Sequence, residues 1–401
     1  MTRHLITLLA IATLLLGCTQ EEQNHTAVTT TAGEPVVTFL AAANDPTRGT
    51  AMSGSFDTNA SFRVYATVQQ RVGDAPKAGT VPQVFINGDV VSYQRIPAHV
   101  KDGYIWVWKT DADYLWPQDN YMVTFYAIHP ASAPQMTGFP ATKSFAYTGG
   151  EGGQLIDGDT DLMYAYVQTH RDDNAFTSVT ANVDDNSTVA LRFHHLLSQV
   201  AFYGKLSNLF SSFGWTVEVG GITLHNINAA GTYDFGSASA PTLTLSNPSV
   251  AHSYSMHIAS ANGVTVNSTS AAVPLTSTTD VIMLLPQNPT RWNPATETIA
   301  TTSGCYLAIQ LRIVDQDGHY HLGAADRYDV VYVPFETGVY NDDEVQISWQ
   351  HNKRYLYTLV FGGGYDDQGK PVIQPISMTT AIEPWQMVTE AGEARHQRNT
   401  N

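Results

Sequence analysis

Charge is scarce in this chain. Only 14% of its 401 residues are Asp, Glu, Lys or Arg, while aromatics reach 10%. Disordered chains show the opposite balance, so this composition implies an ordered core. Positive charge is scarcer still. Twenty Lys and Arg stand against 36 Asp and Glu, for a formal net charge of −16. That argues against nucleic acid as a partner and against a basic membrane-binding face, and simple solubility explains the charge equally well. Cysteine is nearly absent, with Cys18 in the leader and Cys305 alone after it. No intramolecular disulfide can form in the mature chain, and Cys305, at the start of an apolar strand, reads as a buried small hydrophobe. Long apolar runs are missing as well. The one at Leu5–Leu16 falls short of the about 20 residues that a membrane-spanning helix needs.

Catalytic signatures are also lacking. The sequence has no Gly-x-Ser-x-Gly elbow, no His-Glu-x-x-His, no phosphate-binding glycine loop and no dinucleotide fingerprint. Gly362–Gly364 follows a strand but has no Lys-Ser/Thr after it. His194 and His195 are adjacent, so on a strand they point to opposite faces. His319 and His321 share a face and offer two metal ligands with no third in view, against the plainer reading of a solvated hairpin face. Asp157, Asp159 and Asp161 alternate like a calcium loop but lack its closing glutamate, which leaves a turn. The expectation is a non-enzyme with no catalytic residues, no metal and no cofactor.

What is present begins with a leader. Arg3 and His4 precede the apolar run, which ends Leu15-Leu16-Gly17-Cys18. A small residue followed by cysteine is what a lipoprotein signal peptidase needs, with the thiol taking the diacylglycerol. Residues 1–18 are read as a lipoprotein signal peptide, with Cys18 lipidated and the acyl chains anchoring the protein to a membrane. A polar Thr-rich tether follows, then a first strand at Val36–Leu40. The turn chemistry of Asn44–Gly49 leaves Arg48 exposed.

Beyond that point the pattern is of strands. Phe62–Val68, Tyr104–Trp108 and Tyr121–Ala127 alternate in the first half. In the second half the strands are Val189–Leu196, Trp215–Val219, Gly221–Ile227, Gly231–Phe235, Tyr306–Ile313, Tyr328–Pro334 and Tyr355–Phe361. Val281–Leu285 is apolar throughout, as a central strand would be. Asp315–Gly318 turns Tyr306–Ile313 into Tyr320–Leu322 as a hairpin. Helices are expected only as short pieces, at Leu196–Val200 or Leu206–Phe213. Trp106 and Trp108 share a strand face; they are core, or a platform on which sugar rings stack. The turn density fits an all-β chain of two Greek-key sandwich domains. The joint is placed in the polar loop at Asp184–Ser187, giving units at 49–185 and 186–401 after a tether and first strand at 19–48.

Four segments carry a resemblance. Asp161-Leu162-Met163-Tyr164-Ala165, a β-run ending Phe193-His194-His195-Leu196-Leu197, the apolar run closing Pro286-Gln287, and Trp349 with Tyr355-x-Tyr357-x-Leu359 resemble the fimbrillin-like proteins of Bacteroidales in order and spacing. The acidic Gln20-Glu21-Glu22 after Cys18 resembles the surface-export signal of lipoproteins from that group. The resemblance implies transthyretin-like domains and a pilus subunit or a related adhesive lipoprotein. It implies an outer-membrane lipid anchor, cleavage between Arg48 and Gly49 by an Arg-specific protease, and strand exchange with other pilin subunits. Arg48 has the alternative of being an ordinary loop arginine. The tail around Ile373–Trp385 is short and polar for a donor strand. That keeps open an anchor, a tip subunit, or a non-polymerising surface lipoprotein that binds glycans or host protein.

Overall fold

The computed structural model describes residues 36–43, 56, 58–97, 104–148, 161–171, 188–236, 238–246, 251–277, 282–335, 348–362, 364–373 and 375–384. The first half holds β1 (Thr38–Ala43), β2 (Ser61–Val72), β3 (Ala75–Pro76), β4 (Gln83–Pro97), β5 (Tyr104–Thr110), β6 (Tyr121–His129), β7 (Ser144–Thr148), β8 (Met163–Thr169) and β9 (Thr188–His195). The second begins with β10 (Ser198–Leu206), the helix α1 (Asn208–Ser212), β11 (Thr216–Asn228), β12 (Ala230–Asp234), β13 (Thr242–Leu245), β14 (Ala251–Ser255) and β15 (Val264–Val266). It continues with β16 (Val273–Pro274), β17 (Ile282–Leu284), β18 (Tyr306–Val314), β19 (Tyr320–Leu322), β20 (Asp329–Pro334), β21 (Lys353–Phe361) and β22 (Ser377–Pro384). The fold is all-β, with α1 the one helix among the described residues.

In the first half the strand order is β3-β2-β4-β5-β1-β9-β8-β6. Because β6 also pairs with β2, the sheet closes on itself and β3 hangs outside the ring. Closure removes the free edges that an open sheet would present. Alternating apolar residues fill the interior: Phe62 and Val64 from β2, Val123 and Phe125 from β6, and Val189, Leu191 and Phe193 from β9.

The second half is a sandwich of two sheets. One is built on β10 and β21, with β22 at its edge and β16 and β17 along the far side of β10. The other is built on β11 and β18, flanked by β14, β15, β19 and β20. Phe202, Tyr357 and Leu359 from the first sheet share one core with Val219, Leu224, Leu307 and Ile309 from the second. A three-stranded sheet, β13-β12-β7, joins the halves. Beneath it lies a third cluster with Tyr65, Tyr126, Phe145, Leu197, Tyr233 and Met283.

Several elements differ from the sequence expectation. The loop at 184–187 lies outside the described residues, but β9, which follows it, hydrogen-bonds to β1 and β8 in the first sheet. The change of sheet therefore comes at Leu196–Leu197, after the expected joint. Residues 198–200 are strand, so the helix expected at Leu196–Val200 is absent, while the one expected at Leu206–Phe213 is α1, capped by Ser207. Trp215–Val219 and Gly221–Ile227 belong to the single strand β11, bent by a register shift between Val219 and Gly221. A Cβ on the intervening Gly220 would meet the Tyr328 ring at 2.8 Å, so the bend depends on that glycine. Among the described residues β17 pairs with β10 alone and is not central. It reads as apolar on both faces because Ile282 and Leu284 enter the sandwich core while Met283 enters the third cluster.

Candidate functional site

The feature with the clearest functional geometry is the place held by β1. Its neighbours are β5 on one side and β9 on the other. The β9 side is a parallel ladder running from Thr38↔Thr188 to Ala43↔Phe193, reinforced by a 2.9 Å contact between the Thr38 and Thr188 hydroxyls. Among the described residues the β5 side has one pair, Phe39↔Trp108. Period-two patterning sends Val37, Phe39 and Ala41 into the core. Phe39 meets Phe62 and Phe125 edge to face, at 6.1 and 5.7 Å. Just ahead of β1, the Val37 amide donates to the Tyr114 carbonyl at 2.7 Å. β1 thus fills the ring, and among the described residues it has no hydrogen-bonded rung to β2.

At the other end of the chain, β22 pairs antiparallel with β21, from Lys353↔Pro384 to Val360↔Ser377. It is an edge strand. Ile376, just before it, is buried in the sandwich core and Met378 packs against that core, whereas Ile382 is exposed.

Of the residues singled out in the sequence, Cys18, Arg48 and Gly49 lie outside the described residues, as do Asp157, Asp159 and Trp385. Trp106 and Trp108 are both placed, and differently. Trp108 is 4% exposed and packs against Phe56, Phe62 and Tyr93. Trp106 is 56% exposed and stacks on Tyr93 at 5.4 Å, with 20° between the planes. The two indoles do not form one open platform, because the face they share runs off the end of the core between them.

The histidines take different roles. His195 is buried and its Nδ1 contacts the Asp161 carboxylate at 2.7 Å. His194 stacks on Tyr164. Burial, and after it the charges of His351, His195 and Arg192, hold the His194 ring below the usual histidine range. His351 is lowered too, chiefly by burial. His319 and His321 converge on Asp315, in the tip that joins β18 to β19. Asp315, Asp317, and the pairing of His195 with Asp161 were missed from the sequence. Asp315 could have been found from its place at the start of the hairpin turn; no local signal marks the other pair. Cys305 is fully buried, which pushes its thiol well above the ordinary range and leaves it inert.

A family model described as fimbrillin-like matches residues 47–385, most of the chain. The chain belongs to the fimbrillin-like family. Among solved structures, a fimbrial protein of Bacteroides vulgatus is 15% identical, covering 88% of this chain and 99% of its own, with a TM-score of 0.49. A protein of Bacteroides uniformis assigned to cell adhesion is 14% identical over 88% of this chain and 100% of its own, with a TM-score of 0.42. One of Parabacteroides distasonis with the same assignment is 10% identical over 88% and 98%, with a TM-score of 0.43. No curated protein matches the sequence. Membership makes this fimbrillin-like chain a pilus-type adhesion subunit rather than an enzyme, located at the cell surface among other pilin subunits. Among the described residues no helix is long and apolar enough to cross a membrane.

Proposed function

We propose that the chain is made as a lipoprotein acylated at Cys18, carried to the outer-membrane surface, cut between Arg48 and Gly49, and polymerised when a strand of another subunit enters the place vacated by β1. The observation that carries this reading is β1 itself. It closes a ring of strands, and it ends at Ala43, shortly before Arg48. A cut at Arg48 would free β1 together with the lipid. The facing edges of β5 and β9 would then present unpaired backbone groups above the apolar floor of Phe62 and Phe125. Such an edge is a template for β-strand addition, with backbone bonds giving affinity and alternate side chains giving register.

The test is N-terminal sequencing and intact mass of the surface protein, wild type and Arg48→Ala. A wild-type start at Gly49 without lipid, with Arg48→Ala remaining a lipidated monomer, is the expected result. Normal polymer from the variant would overturn the cleavage step. The exposed indole of Trp106 on Tyr93 supports a second reading, a non-polymerising surface lipoprotein that binds a glycan or host protein there. A wild-type start at lipidated Cys18 would favour it.

A further inference from the structure

We infer that Asp315, Asp317, His319 and His321 form a binding site for one divalent transition-metal ion of the zinc class. The inference stands apart from the pilus reading, because the hairpin is remote in sequence from β1 and Arg48.

The turn organises the donors. Asp315 Oδ1 accepts from the backbone amides of Asp317 at 3.0 Å and His319 at 2.9 Å. The Asp315 amide donates to the His319 carbonyl at 3.0 Å, and Gly318 turns the chain with φ +82°. One carboxylate oxygen is thereby fixed by backbone, and the other, Oδ2, faces the imidazoles. His321 Nε2 lies 3.1 Å from Oδ2 and His319 Nδ1 lies 3.5 Å from it. The donor atoms of Asp315, Asp317 and His319 all fall within 4.8 Å of one another. The His321 ring is set by stacking on Trp215, with centroids 4.1 Å apart and 26° between planes.

The His321 contact to Oδ2 is also a hydrogen bond in the absence of metal, whereas the His319 contact is too long for one. Zinc–nitrogen and zinc–oxygen bonds of about 2.0–2.2 Å put neighbouring tetrahedral ligands about 3.4 Å apart. The two distances to Oδ2 bracket that value. The longer exceeds the usual 2.7–3.2 Å of an N–H···O bond. An ion between the rings and Oδ2 needs only a small rotation of His319, whose side chain is 77% exposed. Two imidazoles argue against calcium or magnesium, which take oxygen, and for zinc, nickel or copper. The backbone bonds to Oδ1 and the indole behind His321 are the kind of outer contacts that hold metal ligands in place. The sequence offers two ligands and no third; folding brings Asp315 to both imidazoles and Asp317 to His319.

The experiment is calorimetric titration of the full, chelator-treated chain with zinc chloride at pH 7.5, beside His319→Gln/His321→Gln. Both positions are partly or largely exposed, so the double variant should keep the wild-type melting curve in the absence of metal. One zinc per wild-type chain, with affinity at least ten-fold weaker in the double variant and weaker again in Asp315→Asn, is expected. Wild-type binding should also decline at pH 5.5, as the imidazoles protonate. Copper(II) should quench part of the tryptophan emission of the wild type, and that part should be missing in Trp215→Phe. Absence of zinc binding by the wild type, or binding that His319→Gln/His321→Gln leaves unchanged, would overturn the site.

Discussion

Trp106 and Trp108 show how far a residue's neighbourhood can depart from its periodicity. Both sit on the same face of β5, opposite Arg95 and Tyr93. Alternation correctly puts them on one side of the sheet, but it carries no information about where the core beneath that side ends. Trp108 has Phe56 and Phe62 around it, whereas Trp106 has Tyr93 below and solvent above. Trp108→Ala is expected to cost about 3–5 kcal/mol, as for other buried aromatics. Trp106→Ala should cost about 1 kcal/mol or less, as an exposed change does. Urea denaturation of the two variants checks the contrast, and equal losses would mean that Trp106 is covered in solution. The same limit hid the pairing of His195 with Asp161, which comes from two strands meeting and not from any spacing along the chain.

Among elements, the hairpin of β18 with β19, the strands β20 and β21, and helix α1 were legible, because turn residues and alternation are local signals. The sequence pattern reads β11 as two strands because Gly220-Gly221 looks like a break, whereas the glycine admits a bulge under Tyr328. An all-apolar run suggests a central strand at β17, but burial on both faces does not require neighbours on both edges. The pairing of β1 with β9 had no local signal at all, since the strands are separated by most of the first half. It makes the sharpest prediction at this scale. A chain beginning at Gly49 lacks Val37, Phe39 and Ala41 from its core. It should melt lower than the full mature chain and regain stability when a synthetic peptide spanning 34–44 is added, since a ligand that binds only the folded state raises its stability. A melting temperature indifferent to the peptide would mean that the ring has closed without β1.

For the molecule as a whole, the joint is where the two halves can influence each other. The first sheet hands over to the second at Leu196–Leu197, and the Asn352 amide donates to the Leu197 carbonyl at 3.0 Å. His194 and His351 lie beside that link. Burial acts first on both rings; after it the charges of His351, His195 and Arg192 lower His194, while on His351 a hydrogen bond involving His195 raises and the charge of Lys353 lowers. Both rings are lowered in the folded chain, so the unfolded chain binds more protons below its own value of about 6.5. Their contribution is complete above that pH and is lost as the pH falls below it. The urea midpoint should drop between pH 7 and pH 5, and His194→Gln should flatten the drop. A midpoint that stays level over that range would remove the joint as a pH-sensitive element. The sequence reading sets the boundary by loop composition, and the pairing of β9 with β1 and β8 cannot be seen there.

The direction of the ladder beside β1 has a mechanical meaning. All its rungs to β9 lie crosswise to the strand, from Thr38 to Ala43. A strand seated in that slot and pulled along its own axis loads those bonds together, in shear, and they must fail as a group. An edge strand such as β22, pulled outward from its end, would peel one rung at a time. A fibre whose subunits were linked through the β1 slot would therefore resist tension along its length far better than a load applied across the joint.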